Sequence, residues 1–454
     1  MNQNENKRKL DYKWVIVGLS FMMVLTALGF CSSPKSLYIV PITEALGIER
    51  SVYSITDSFR YVSTAVINVF FGFLVAKFGP KKLILAGFGS LIISTLLYAF
   101  APNVILIYLA GIFLGIGLSW TTTTMVGYVV TRWCKENKGT IMGLVLASNG
   151  IGGAIAIQII SPIIESSATG YKTAYITVAC ILAVVATLLL IFFRNAPKGA
   201  ENIAAPVGSH KKKRGNDWVG IEFGEAIKKN YFWGILFCIF CSGFILQGMN
   251  GVTAAHMRDI GIDPALVSTI LSAHSLVLAC AKFLTGFLYD RFGLRFTSTT
   301  CIIIAISGAA LILFASPTPV GIVIAFAYSL ISSFALPLET IMLPIYANDI
   351  LGAKSFDKAL GIFVSVNTAG YALGAPVFNL CYDLTGRYNL GFIIGGSAML
   401  GVLIVFQFVV TAAHKTQAEI LAAEAEREAM ASDSDEAIIS SSVDETADVG
   451  VAKA

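Results

Sequence analysis

Charge is scarce in this chain. Of 454 residues only 13% are charged, while 56% are hydrophobic. A soluble core of this length does not need so much apolar surface, so the composition points to the bilayer as solvent. Histidine is scarcer still, at four residues. No paired metal-ligand motif, nucleotide-binding loop or Ser/His/Asp arrangement stands in a suitable context, so neither a cofactor nor a metal nor an enzyme is expected. Eight cysteines fall mostly inside apolar runs and give no disulfide framework. Cys238 and Cys241 have redox spacing but lie in an apolar helix. The first apolar run is too long for a signal-peptide core, and no small-residue cleavage site ends it. No nucleic-acid partner is expected, because the basic residues have a better explanation.

What is present is apolar sequence in long runs. Crossing about 30 Å of hydrocarbon takes roughly 20 apolar residues as helix. Twelve runs qualify: 14–40, 52–76, 82–101, 104–130, 140–164, 173–194, 231–255, 265–289, 296–315, 320–347, 359–381 and 390–412. They are continuously apolar rather than alternating, which selects helix over barrel strand. Of the 32 Lys and Arg, 25 fall on the side holding both termini, 4 on the other and 3 within spans. The positive-inside rule therefore places both termini in the cytoplasm. The expected organisation is a cytoplasmic N-terminus (1–13), a six-helix bundle (14–194), a cytoplasmic linker (195–230), a second six-helix bundle (231–412) and a cytoplasmic tail (413–454). The linker carries Lys211, Lys212, Lys213 and Arg214, which can meet anionic lipid. The tail begins as an Ala/Glu-rich helix candidate to about Met430. It then becomes acidic and Ser-rich over 432–448, a composition expected to be disordered.

One phrase occurs twice. Gly72-Phe73-Leu74-Val75-Ala76-Lys77-Phe78-Gly79-Pro80-Lys81-Lys82 follows the second run, and Gly286-Phe287-Leu288-Tyr289-Asp290-Arg291-Phe292-Gly293-Leu294-Arg295 follows the eighth. Glycine permits close backbone approach, and the cations sit at helix ends. A basic, glycine-bounded turn recurring between apolar runs marks a duplicated transporter. Glycine is also dense at 111, 115 and 117, at 143, 150, 152 and 153, and at 370 and 374, where small residues let helices approach closely.

Ionisable residues inside spans are costly and point to function. Lys35 (span 1), Asp57 and Arg60 (span 2), Lys282 (span 8) and Glu339 (span 10) qualify, and His274 (span 8) is a sixth titratable group. Three cations against two acids leave a surplus of +1, which suits an anionic solute such as a carboxylate. Lys35 follows Pro34 near the outer end of its span. It is either an outer attracting cation or a lysine snorkelling to the interface. Asp57 and Arg60 are three apart on one face of their helix; either they pair locally or Arg60 forks onto a substrate carboxylate. Lys282 lies about 10 Å from the nearer end of its span. Glu339, beside Pro337 and Pro344, is a protonation site or the counter-ion of Lys282. His274 is a proton relay or a structural histidine. Thr121 to Thr124 either line a polar pore or bond between helices.

The repeated turn resembles the loops between helices 2 and 3 and helices 8 and 9 of the major facilitator superfamily. The resemblance implies two pseudo-symmetric six-helix bundles. It also implies a conformational latch formed by Gly72, Lys77, Gly79, Gly286, Asp290, Arg291 and Gly293; Ala76 stands where the family usually has Asp. Pro34-Lys35-Ser36, Arg132-Trp133-Cys134 through Gly139, Asp349-Ile350-Leu351-Gly352 with Gly361, and Gly374-Ala375-Pro376 with Tyr382-Asp383 resemble the monocarboxylate transporter and oxalate/formate antiporter group. That group carries an arginine where Lys282 stands. An aspartate is replaced by Leu278, and a second cation by Asn367. The resemblance implies a monocarboxylate or larger organic anion rather than oxalate, with lactate-sized and bile-acid-sized solutes both open. Substrate binding falls to Lys282, Arg60 and Lys35, and proton coupling to Glu339, Asp57 or His274. The expectation is a monomeric secondary transporter of the cell inner membrane, coupled to protons or a counter-anion. The alternatives are a multidrug/proton antiporter of the same fold, a transporter-like sensor and a membrane-embedded enzyme.

Overall fold

Residues 12–134, 138–195 and 220–448 are described by a computed structural model. The start of the chain and the linker up to residue 219, with its basic run, lie outside them. Eleven helices among the described residues are long and apolar enough to cross a membrane. One of them, Pro264–Ile312, bends at Gly293 and counts as two spans. The twelve spans are Tyr12–Leu46, Arg50–Phe78, Pro80–Phe100, Val104–Val130, Lys138–Glu165, Gly170–Phe192, Asn230–Asp259, the two limbs of Pro264–Ile312, Pro319–Glu339, Phe356–Thr385 and the first part of Asn389–Asp448. No strand occurs among the described residues. Helix satisfies every backbone donor and acceptor within one segment, which hydrocarbon demands.

The duplicated turn is duplicated in conformation as well. Gly79 has φ 78° and ψ 157°, and Gly293 has φ 80° and ψ 179°. A side chain is strained at such positive φ, so both copies require glycine at this corner. These corners lie at the end of the molecule that also holds Tyr12, whose phenol donates to the Phe192 carbonyl at the end of span 6. We call this the terminal face and the opposite end the far face.

Three spans expected to be continuous are broken. In span 1 the α-helix ends at Cys31, a 3₁₀ turn covers Ser33–Tyr38, and α-helix resumes over Ile39–Leu46. Pro34 has no N–H to give to the helix ladder. Span 4 breaks at Thr122 (φ −122°, ψ −143°), where Thr121 and Thr122 hydroxyls bond back to Gly117 and Leu118 carbonyls. Span 10 is helical over Pro319–Ser332, unwinds through a 3₁₀ turn at Leu336–Glu339, and continues as Met342–Tyr346 and a wide turn Ala347–Leu351. Pro337 and Pro344 take out two backbone donors within eight residues there. At its C-terminal end the last helix runs on to Asp448, past the expected stop near Met430. No glycine or proline falls between Val402 and Asp448 to end it.

The two bundles meet along span 2 against span 11 and span 5 against span 8. Small residues make these approaches possible. A Cβ on Gly150 of span 5 would stand 2.5 Å from the Ser275 carbonyl oxygen of span 8. Contact is confined to the far half. On the face of span 2 that meets the second bundle, Ser54, Ser58 and Tyr61 bond across to it, but Ala65, Asn68 and Gly72 further along that face are exposed. Gly143 on span 5 and Gly286 on span 8 have no atom within 4 Å of where a Cβ would be. The bundles are therefore closed at the far face and splayed toward the terminal face.

Candidate functional site

The far face is held by charges that cross between the bundles. Arg50, first residue of span 2, grips Asp259 at the end of span 7 with both guanidinium nitrogens, one at 2.8 Å. It also donates to the Tyr388 hydroxyl at 3.1 Å and lies 3.9 Å from the Tyr382 ring centroid. Asp383 accepts from the backbone N–H groups of Arg50 (3.2 Å) and Ser51 (2.9 Å), capping span 2 from the other bundle. Arg258 reaches Glu165 at 2.7 Å. Span 7 thus ends in two neighbours of opposite sign, each matched by its opposite on the first bundle. Below them Asn379 donates to the Ser54 hydroxyl at 2.7 Å, and the Ser58 hydroxyl donates to the Ala372 carbonyl.

The embedded charges lie further in and form two groups. The break in span 1 turns Lys35 inward onto Asp57, so Lys35 is neither snorkelling nor free at a surface. Arg60 stands 3.6 Å from the same carboxylate. One acid therefore faces two cations. The local Asp57–Arg60 pair expected from spacing is the longer of the two contacts. Arg60 is buried, and its Nε has no partner. Lys35 also lines a small cavity with Tyr38, Tyr98, Tyr175, Ser94, Thr95 and Cys31.

The second group belongs to the other bundle. Glu339 sits in the unwound turn of span 10, buried, with its Oε1 unpartnered. Its backbone carbonyl accepts from Asn367 and from the Tyr371 hydroxyl, each at 3.1 Å. No ion pair within 4.0 Å joins Lys282 to Glu339 or another acid among the described residues. Span 8 runs on to Phe292 before its corner, so Lys282 is about 15 Å from that end, deeper than expected. His274 is held apart from both groups. Its Nδ1 lies 2.7 Å from the Ser329 carbonyl and 2.8 Å from the Ser333 hydroxyl. A carbonyl only accepts, so Nδ1 carries a proton toward Ser329, while Nε2 has no partner.

Two tyrosines join these groups across the bundles, and the sequence did not single them out. Tyr61 accepts from Arg60 Nη2 at 3.0 Å and from Gln247 Nε2 at 2.8 Å. Its ring centroid lies 5.2 Å from that of Tyr371. The adjacent Arg60 was the available signal, but an Arg-Tyr pair in an apolar helix gives no sign of its cross-bundle partners.

The seven residues of the repeated turn lie at the terminal face. The structure does not bring them together across the bundles. Lys77 lies over its own neighbours Phe73 and Phe78, and Arg291 over Phe292. Gly72, Gly286 and Gly293 have open space where a Cβ would be. Gly79 holds the first corner, and Asp290 is exposed. Among the described residues no group of three or more His, Cys, Asp or Glu could hold a metal.

Known proteins share this architecture. Monocarboxylate transporter 13 of Bos taurus is 24% identical over 73% of this chain and 74% of its own length. The oxalate:formate antiporter of Oxalobacter formigenes is 22% identical over 81% and 85%. The crystal structure of the nucleoside transporter NupG superposes with a TM-score of 0.71 at 15% identity, covering 88% of this chain and 99% of its own. The family model of the Major Facilitator Superfamily matches residues 15–256 and 235–441. Two six-helix bundles, a turn repeated in sequence and backbone, and that match over nearly the whole chain place this multi-pass membrane protein in the Major Facilitator Superfamily.

Proposed function

We propose that the chain is a secondary active transporter of a small organic anion, most simply a monocarboxylate, working by alternating access. The observation that carries this reading is the cation excess at the level where the bundles part: Lys35, Arg60 and Lys282 against Asp57 and Glu339. Lys35 is the nearer partner of Asp57, which leaves the Arg60 fork with charge to spare. A guanidinium binds a carboxylate through two parallel hydrogen bonds. Lys282, with no acid at ion-pair distance, is the second anchor. Lys35 receives the anion when the far face opens, trading Asp57 for it. Glu339, Asp57 and His274 are the groups through which a proton couples to transport, either as symport or within an anion exchange. The names of the monocarboxylate and oxalate:formate relatives support an anionic substrate.

The excess of Lys and Arg at the terminal face supports cytoplasmic termini in a cell inner membrane. The far face is then outside, and the splayed end opens inward. Rocking of the bundles about the midplane would close that end and open the other. The repeated turns then latch the terminal face in the opposite state. The protein acts as a monomer. A second reading, a multidrug/proton antiporter, is favoured by one observation, the unpartnered carboxyl oxygen of Glu339.

Uptake into proteoliposomes of a panel of radiolabelled carboxylates and one cationic dye, with and without a proton gradient, separates these. Gradient-stimulated uptake of an acid establishes symport; uptake that needs a preloaded anion establishes exchange. Movement of the dye alone would replace the anion reading by the drug reading.

A further inference from the structure

We propose that Tyr61 is a further substrate-binding residue, donating its phenol proton to an oxygen of the carried anion. The argument is a count of valences. A guanidinium nitrogen and an amide nitrogen can only donate. Arg60 Nη2 at 3.0 Å and Gln247 Nε2 at 2.8 Å therefore occupy both lone pairs of the Tyr61 oxygen. What remains is its O–H, and no acceptor for it exists among the described residues. A buried donor left without a partner costs free energy comparable to a lost hydrogen bond, and Tyr61 is only 9% exposed.

Its place in the fold says what supplies the acceptor. Ala65 and Asn68, the next residues on the face of span 2 that carries Tyr61, are exposed, and span 2 is not buried again until Phe71. The phenol therefore roofs the cleft that opens to the terminal face. The hydroxyl of Tyr371 beside it, by contrast, has an acceptor in the Glu339 carbonyl. Tyr61 thus sets one hydrogen-bond donor next to the Arg60 charge, the pairing a carboxylate oxygen calls for. Gln247, from the second bundle, positions the phenol, so an anion seated there touches the first bundle and senses the second. This selects for solutes with an oxygen acceptor beside their charge.

The inference rests on the anion-transport reading, and its test keeps the two apart. Wild type and Tyr61→Phe are reconstituted, and KM and maximal rate are measured for the acid that wild type transports best. Wild type that moves no acid overturns both. The expected result for Tyr61→Phe is a KM raised about tenfold with a maximal rate within about twofold of wild type. An unchanged KM overturns the role of Tyr61 and leaves the anion reading standing; it would mean that the Gln247 amide is turned, its oxygen taking the phenol proton. Should Tyr61→Phe fail to fold, Gln247→Leu reads the same contact. A KM raised about threefold supports it, and an unchanged KM overturns it.

Discussion

The two ends of the cleft are built from different chemistry. At the far face the bundles are joined by ion pairs and a borrowed helix cap, Arg50 with Asp259, Arg258 with Glu165 and Asp383 on the start of span 2. At the terminal face the same spans end in the repeated turn, where Lys77 and Arg291 lie over their own aromatic neighbours rather than over the opposite bundle. A transporter must break its closed end once in every cycle. An apolar seal of the same area would resist that, because nothing in water replaces its contacts. Charged groups are rehydrated as they part, so the net cost of opening stays small. The far face is therefore specific in register yet separable, which is what the proposed alternating access requires of a gate.

The largest effect expected from disturbing this contrast is at Arg50. Arg50→Glu would set three acids together with Asp259 and Asp383. Uptake should fall about tenfold or more, since removing one partner of a largely buried pair leaves the other uncompensated. Combining Arg50→Asp with Asp259→Arg should recover most of it. No recovery in the double variant would mean that Arg50 acts alone and that the lock is not a pair.

A smaller effect separates two glycines of one helix. Gly150→Ala puts a Cβ 2.5 Å from the Ser275 oxygen and 2.9 Å from the Ala279 Cβ. Spans 5 and 8 must move apart, at about 1–3 kcal/mol. Gly143→Ala meets nothing and should be neutral or stabilising by up to about 1 kcal/mol. Thermal melting in detergent reads both, and equal shifts would deny that closure is confined to the far half.

The smallest effect is expected at the open end. Lys77→Ala should change the melting stability of this state by less than about 0.5 kcal/mol. A larger loss would show that the repeated turn already bears load while its end is splayed.

Much of this was legible in the chain, and the limits have a physical pattern. Apolar run length located all twelve spans, and the Gly79 and Gly293 corners were visible because positive φ demands glycine. The embedded charges were visible because the bilayer makes them rare. Their partners were not. Lys35 and Asp57 are 22 residues apart and meet only because span 1 unwinds after Cys31. Arg50 and Asp259 are 209 apart, and both fall in the loops between the expected spans. Two prolines announced a disturbance at Glu339 but not that the turn would unwind and aim its carbonyl at Tyr371. Spacing reports neighbours within a helix; contacts between bundles leave no period in the sequence.

The central claim is that embedded cations hold an anion at the level where the bundles part. Its most direct test is uptake of the best-transported carboxylate by Lys282→Ala beside wild type in matched proteoliposomes. The account predicts that uptake in the variant falls to the level of empty vesicles while the protein melts as wild type does. Carboxylate uptake at the wild-type rate in Lys282→Ala would contradict it.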